Sequence, residues 1–414
     1  MSTAGEAGRV AERVARESYG RLVALLAART RDVAGAEDAL AEAFAAALRM
    51  WPTDGVPDNP AAWLLTVARR RQTDAVRRRQ TRTAGEAHIM MITDEIQAAS
   101  EEPEHIPDRR LALMFACAHP AIERGMRAPM ILQAVLGLTA EAIAAAFLIP
   151  PATMGQRLVR AKSRIKDAGI PFGVPATEEL PERLDAVLEA IYAAYAKGWG
   201  ETEEPETPTL VDEAIWLAEL IVNLMPDEPE PKGMLALMLY AEARRPARRD
   251  ARGSFVPLSE QDTSRWNGPM IDRAEALLNA ANAGGPTGRY QIEAAIQSAH
   301  AIRRITGAPD WNAIVSLYDT LLVITQSPVA ALNRAAAVAE VDGPAAALPL
   351  LDQVAADKRM ASYQPYWATR GNLLARAGRN AEAHDALTQA AGLATDPATR
   401  IWLLDTRDAL PRDA

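Results

Sequence analysis

Residues 139–166 read TAEAIAAAFLIPPATMGQRLVRAKSRIK, and their spacing decides the fold. Thr139 is a good N-cap for a short helix through Phe147. Leu148-Ile149-Pro150 makes a turn, and Pro151 suits the first position of a second helix. In that second helix Met154, Leu158, Ala161 and Ile165 recur on one side, which predicts that they pack inward. Ala152, Thr153, Gln156, Arg160 and Ser163 fall opposite, flanked by Arg157 and Arg164. A short helix, a tight turn and a basic second helix predict a helix-turn-helix, the second helix shaped for a DNA major groove.

Upstream, Ala61-Ala62-Trp63-Leu64-Leu65-Thr66-Val67-Ala68-Arg69 opens an arginine-rich helix. Positions 69–82 hold seven arginines and one acid, and Trp51 and Trp63 lie close by in sequence. Guanidinium groups pair with phosphates and an aromatic ring can hold an unstacked base, so the stretch suits DNA opened into single strands. Earlier still, Ala36-Glu37-Asp38-Ala39-Leu40-Ala41-Glu42-Ala43-Phe44 places Asp38 and Glu42 on one helix face and Leu40, Phe44 and Leu48 on another. Alone, that pattern is also an ordinary amphipathic helix.

Helical periodicity continues almost throughout the 414 residues, so an all-α fold is expected. The net charge of −9 hides an asymmetry. Residues 1–175 carry 23 basic and 20 acidic side chains, a net of +3, and residues 176–414 carry 22 and 34, a net of −12. Two unlike parts suggest two unlike partners. One cysteine, Cys117, leaves no disulfide framework or cysteine-based zinc site within the chain. The stretch Leu113-Met114-Phe115-Ala116-Cys117 reads it as a small buried residue. The N-terminal stretch lacks an apolar core of the signal-peptide kind, and no long uncharged apolar run occurs, so a cytoplasmic protein with no membrane span is expected.

Breakers divide the chain into residues 1–82, a polar linker at 83–107, residues 108–168, a second linker at 169–182 and residues 183–414. Near the end, Gly343 and Gly378 lie 35 residues apart, and Ala355 and Ala390 keep that offset. The second copy, Gly371-Asn372-Leu373-Leu374-Ala375-Arg376-Ala377-Gly378, resembles a tetratricopeptide repeat, and an alanine-rich helical hairpin is the plainer reading.

Taken in order, these blocks resemble the extracytoplasmic-function (ECF) group of bacterial sigma factors over about residues 10–168. Glu37–Phe44 resembles the start of region 2.2; Trp63–Arg69 with Asp74-Ala75-Val76-Arg77-Arg78 resembles regions 2.3 and 2.4; Ala152–Lys162 resembles the recognition helix of region 4.2. The chain departs from the family pattern at Ala41, Arg70 and Gly155, where relatives carry Gln, Asn and a basic residue. Arg244-Arg245-Pro246-Ala247-Arg248, Glu260–Trp266 and Leu332-Asn333-Arg334-Ala335 resemble a long subgroup with a helical, tetratricopeptide-like C-terminal extension. The resemblance implies a region 2 domain at 1–82, a region 4 helix-turn-helix domain at 108–168 and an extension at 183–414. It also implies a non-enzymatic, cofactor-free factor that binds core RNA polymerase and promoter DNA. Asp38 and Glu42 would meet the β′ clamp helices and region 4 the β flap. Trp63, Arg69, Arg70, Arg77 and Arg78 would serve the −10 element, and Thr153, Gln156, Arg157, Arg160 and Arg164 the −35 element. The acidic extension would regulate sigma activity or receive a regulatory protein.

A helix-turn-helix regulator with a tetratricopeptide-like sensor is the alternative, although it would not need the block at 36–79. The five histidines (88, 105, 119, 300 and 384) are scattered, with no metal-protease motif, P-loop or nucleophile elbow. Gly284-Gly285-Pro286-Thr287-Gly288 reads as a helix-to-helix turn rather than a phosphate cradle.

Overall fold

Alanine, leucine, arginine and glutamate favour helices, and helices make up nearly all of what forms. The structure, a computed structural model, describes residues 33–80, 108–167, 174–199, 209–283 and 286–411, residue 106, and scattered helical positions between 7 and 27. The side chains at 33–34, 73–80, 109 and 166–167 fall outside that description, as do most of the linker expected at 83–107 and the glycines at 284–285. Among the described residues the extended pairing is one antiparallel bridge, Arg249 with Phe255, so the fold is all-α. Two compact units form, Met1–Leu220 and Ile221–Ala414.

In the first unit, α1 (Val33–Asp54) buries Ala36, Ala39, Leu40, Ala43 and Ala47. It closes at Trp51–Gly55, where the Gly55 N–H donates to the Trp51 carbonyl at 3.1 Å. Asn59 caps α2 (Pro60–Gln80) by accepting from the Ala62 N–H at 3.0 Å. Asp108 likewise caps α3 (Arg109–Cys117), accepting from the N–H groups of Arg110 and Leu111. Then come α4 (Arg124–Ala134), α5 (Ala140–Ala146) and α6 (Pro151–Asp167).

The chain resumes at 174 with a 3₁₀ turn at Thr177–Glu179 that runs into α7 (Leu180–Trp199). Sequence reading places a linker at 169–182 and starts the extension at 183. In the structure α7 packs against α3, α4 and α5, and the first unit runs on to Leu220, inside α8 (Leu210–Leu224). The cause is burial: Leu184, Val187, Leu188, Ile191 and Ala194 form one apolar face of α7, which these helices cover.

The second unit is a chain-ordered array: α9 (Pro229–Ala243), α10 (Gly268–Asn282), α11 (Arg289–Ala301), α12 (Arg303–Thr306), α13 (Trp311–Thr325), α14 (Pro328–Val341), α15 (Pro344–Val354), α16 (Gln364–Arg376), α17 (Asn380–Leu393) and α18 (Pro397–Asp408). Helix α9 is buried on every side from Met234 to Tyr240, and α10 and α11 pack on it. From α13 onward each helix packs on the next. Gly343 and Gly378, the two repeat positions, both turn the chain between helices with φ of +85° and +76°, a region that favours glycine. The alanine pair is not equivalent: Ala355 is an exposed helix end, whereas Ala390 is buried inside α17.

Candidate nucleic-acid interface

Two helical faces with nucleic-acid chemistry lie in the first unit. On the first, Leu64, Ala68 and Gln72 anchor α2 inward and leave Arg69, Arg70 and Arg71 exposed. Arg77 and Arg78 continue the helix, but their side chains lie outside the described residues. Trp63 is half-buried and meets the buried Trp51 edge-on, with ring centroids 5.5 Å apart. The Trp51 indole Nε1 is buried without a hydrogen-bond partner. The loop 55–59 runs beside this pair, its ends fixed by Trp51 and Asn59.

Asp38 and Glu42 are both exposed on α1. Glu42 sits 3.5 Å from Arg71, a loose surface pair. Leu48, assigned by sequence to the apolar face with Leu40 and Phe44, is 53% exposed, because the buried stripe of α1 runs through Ala43, Ala47 and Trp51 and leaves Leu48 to one side.

The second face is α5 and α6. The Thr139 hydroxyl accepts from the Ala142 N–H at 3.2 Å, the cap expected from the sequence. The two helices meet at 110° across the turn 147–150, within the range of helix-turn-helix pairs. Leu148 holds that turn at φ +52°, a left-handed conformation that a branched residue rarely adopts. Met154, Leu158 and Ile165 are buried as the periodicity predicts, and Ala161 is half-buried. Gln156, Arg157, Arg160 and Arg164 are exposed together, with Thr153 half-buried beside them. Arg160 also donates through Nε to the Gln156 carbonyl at 3.3 Å, one turn back along the helix.

The two faces are tied together at a point that sequence reading missed. Glu37 of α1, only 7% exposed, accepts from the Lys162 ammonium of α6 at 2.5 Å. Burial pushes the Glu37 carboxyl up, and Lys162 partly offsets this. Burial likewise raises the thiol of the fully buried Cys117, and Glu37 adds to the effect. A second contact lies nearby. The Tyr19 ring packs on Gly137, where a Cβ would come within 2.9 Å of the ring and φ is +67°. Burial, then Glu37 and Asp38, push the Tyr19 hydroxyl up to about 12. The sequence held one signal for this tie: Glu37 falls among Ala36, Ala39 and Leu40 on the apolar side of α1.

Helix α7 braces the second face from behind. Arg183, 3% exposed, donates to the Phe115 carbonyl at 3.3 Å and to Glu179 at 2.8 Å. Arg110 pairs with Glu213 and lies over the Trp216 ring at 4.9 Å. Among the described residues no group of three or more His, Cys, Asp or Glu side chains is placed to hold a metal ion. No single described helix is long and apolar enough to cross a membrane.

Comparison with known proteins matches residues 14–82 to Sigma-70 region 2 and residues 183–282 to a family of unknown function, DUF6596. An uncharacterized protein of Rhizobium meliloti (strain 1021) is 39% identical over 374 residues, 89% of this chain and 88% of that protein. No solved structure matches.

Proposed function

We propose how promoter recognition is divided along this chain, which belongs to one family with the Rhizobium meliloti protein and carries a sigma-70 region 2 domain. Sigma-70 region 2 implies binding to core RNA polymerase and to promoter DNA. Our finer reading is an ECF-type sigma factor whose residues 1–82 and 108–168 serve the −10 and −35 elements. The observation that carries it is the coincidence of the region 2 match with α1 and the arginine-bearing α2, followed by a capped helix pair at 110° with its polar face exposed.

In this reading Asp38 and Glu42 dock on the β′ clamp helices, where carboxylates steer a basic partner surface into place. The Glu42–Arg71 contact exchanges readily, since both groups are exposed. Trp63, wedged on Trp51, faces the opened −10 strand, and Arg69, Arg70, Arg77 and Arg78 hold phosphates, giving affinity more than specificity. Thr153, Gln156, Arg157, Arg160 and Arg164 meet the −35 element, where Arg and Gln suit guanine and adenine edges. Region 4 would also touch the β flap.

The Glu37–Lys162 tie must then open. Elements centred about 25 base pairs apart lie roughly 85 Å apart along B-DNA. The two helices that the tie joins, of 22 and 17 residues, are only about 33 and 26 Å long. The acidic remainder of the chain regulates this step or receives a regulatory protein.

The test is direct binding to purified core polymerase. Asp38→Lys and Glu42→Lys together should weaken binding at least tenfold while leaving the far-ultraviolet helix signal intact. Unchanged binding would remove both residues from the contact.

A further inference from the structure

The arginine-rich segment 244–266 is left unused by the reading above. Two arginines, Arg265 within it and Arg303 of α12, brace its backbone. Arg265 donates to the carbonyls of Arg249, at 3.0 Å, and of Pro246. Arg303 of α12 donates to the carbonyls of Leu258, at 2.6 Å, and of Gln261, and lies 5.5 Å over the Trp266 ring. The Asp250 carboxylate accepts from the N–H groups of Arg252 and Ser254 at 2.8 Å. The segment is thus a stiff loop at the C-terminal end of α9.

Two of its side chains reach the other end of the unit. Arg249 donates to Asp396 at 2.9 Å, across 147 residues of chain. Phe255 meets Trp402 edge-on at 5.4 Å. Asp396 is the N-cap of α18, accepting from the Thr399 N–H at 3.0 Å, and Trp402 lies one turn further along. Beside Trp402, Leu403 is buried against Leu387, Ala390 and Ala391, and Trp402 packs on the same cluster. A stacked helical array ordinarily touches only its neighbours in sequence. Here the last helix touches its predecessor and also the loop that follows α9.

We propose that residues 244–266 form an intramolecular clasp that fastens α18 to the beginning of the C-terminal unit, closing the array on itself and fixing its curvature. The ion pair and the ring contact are its two points of attachment, and Arg265 and Arg303 are its brace. Because Arg249 is half-exposed, the ionic half loosens with salt.

Hydrogen exchange on the full chain, resolved by segment, tests this. Arg249→Ala, and separately Asp396→Asn (which keeps a good N-cap but removes the charge), should speed exchange at 397–408 roughly three- to tenfold, with other helices of the unit unchanged. Combining Arg249→Ala with Phe255→Ala should speed it further. Added salt should speed exchange there in the wild type but not in Asp396→Asn. Unchanged exchange at 397–408 in the Arg249→Ala, Phe255→Ala chain would overturn the clasp. So would uniform acceleration across the unit, which would make Arg249 a support of the loop alone.

Discussion

The tie between Glu37 and Lys162 joins two side chains in unequal surroundings. The Glu37 side chain is 8% exposed and that of Lys162 is 28% exposed. Removing the lysine strands a carboxylate away from water, whereas removing the carboxylate leaves an ammonium that solvent still reaches. Lys162→Met should therefore cost about 2–3 kcal/mol at neutral pH, and Glu37→Gln clearly less, in urea denaturation of the full chain. Equal costs would contradict the asymmetry. Acid sensitivity separates two other groups. Burial, then Arg244 and Arg303, push the His300 imidazole down to about 4, so its contribution to stability is present above about 6.5 and lost as pH falls through 4. Burial would raise the Asp396 carboxyl, but hydrogen bonds from Thr399 and Arg249 outweigh it and hold the group at about 2. Its contribution is present above about 4 and lost as pH falls towards 2. His300→Gln should flatten the upper window by about 2–3 kcal/mol and Asp396→Asn the lower one by about 1–2 kcal/mol, read from stability at a series of pH values.

Helix α7 shows what an element's sequence can and cannot disclose. Its apolar stripe predicts an amphipathic helix, but a stripe does not name the helices that cover it. Those are α3, α4 and α5, so the α5–α6 helix pair rests on a helix that sequence reading assigns to the extension. Ile191→Ala, at a position with no exposure, should destabilise the first unit by about 2–4 kcal/mol in thermal unfolding. A change confined to the second unit would contradict this packing. Local signals were legible: the Thr139 cap, the Pro151 start, and the inward set Met154, Leu158 and Ile165 all follow from spacing and capping chemistry. The Leu148 turn conformation was not, because a left-handed φ falls here on a leucine, where propensity would ask for glycine. Nor was the inequality of Ala355 and Ala390, since a 35-residue offset is equally compatible with a helix end and a helix interior. Of the two faces, the exposure of Gln156, Arg157, Arg160 and Arg164 was readable from a helical wheel. The junction at Glu37 depends on a residue 125 positions away and was not.

At the scale of the whole chain, the net charge of −9 is the sum of a slightly basic part and a strongly acidic one. The basic part contains the exposed arginines of α2 and α6, where phosphates would be met, and the acidic part contains the closed helical array. That boundary does not coincide with the two compact units, since Met1–Leu220 carries 25 basic and 32 acidic side chains, a net of −7, and Ile221–Ala414 carries 20 and 22, a net of −2. The basic surface therefore belongs to the helices α1–α6 alone, where the proposed polymerase docking and promoter contact would lie. Purified core RNA polymerase should be assayed with and without this protein on a library of genomic templates, and the start sites mapped. Initiation at a restricted set of templates only when the protein is present, lost in an Asp38→Lys, Glu42→Lys chain, is the result the account predicts. No template-specific initiation, together with duplex DNA binding by the protein alone, would contradict it and favour a helix-turn-helix regulator.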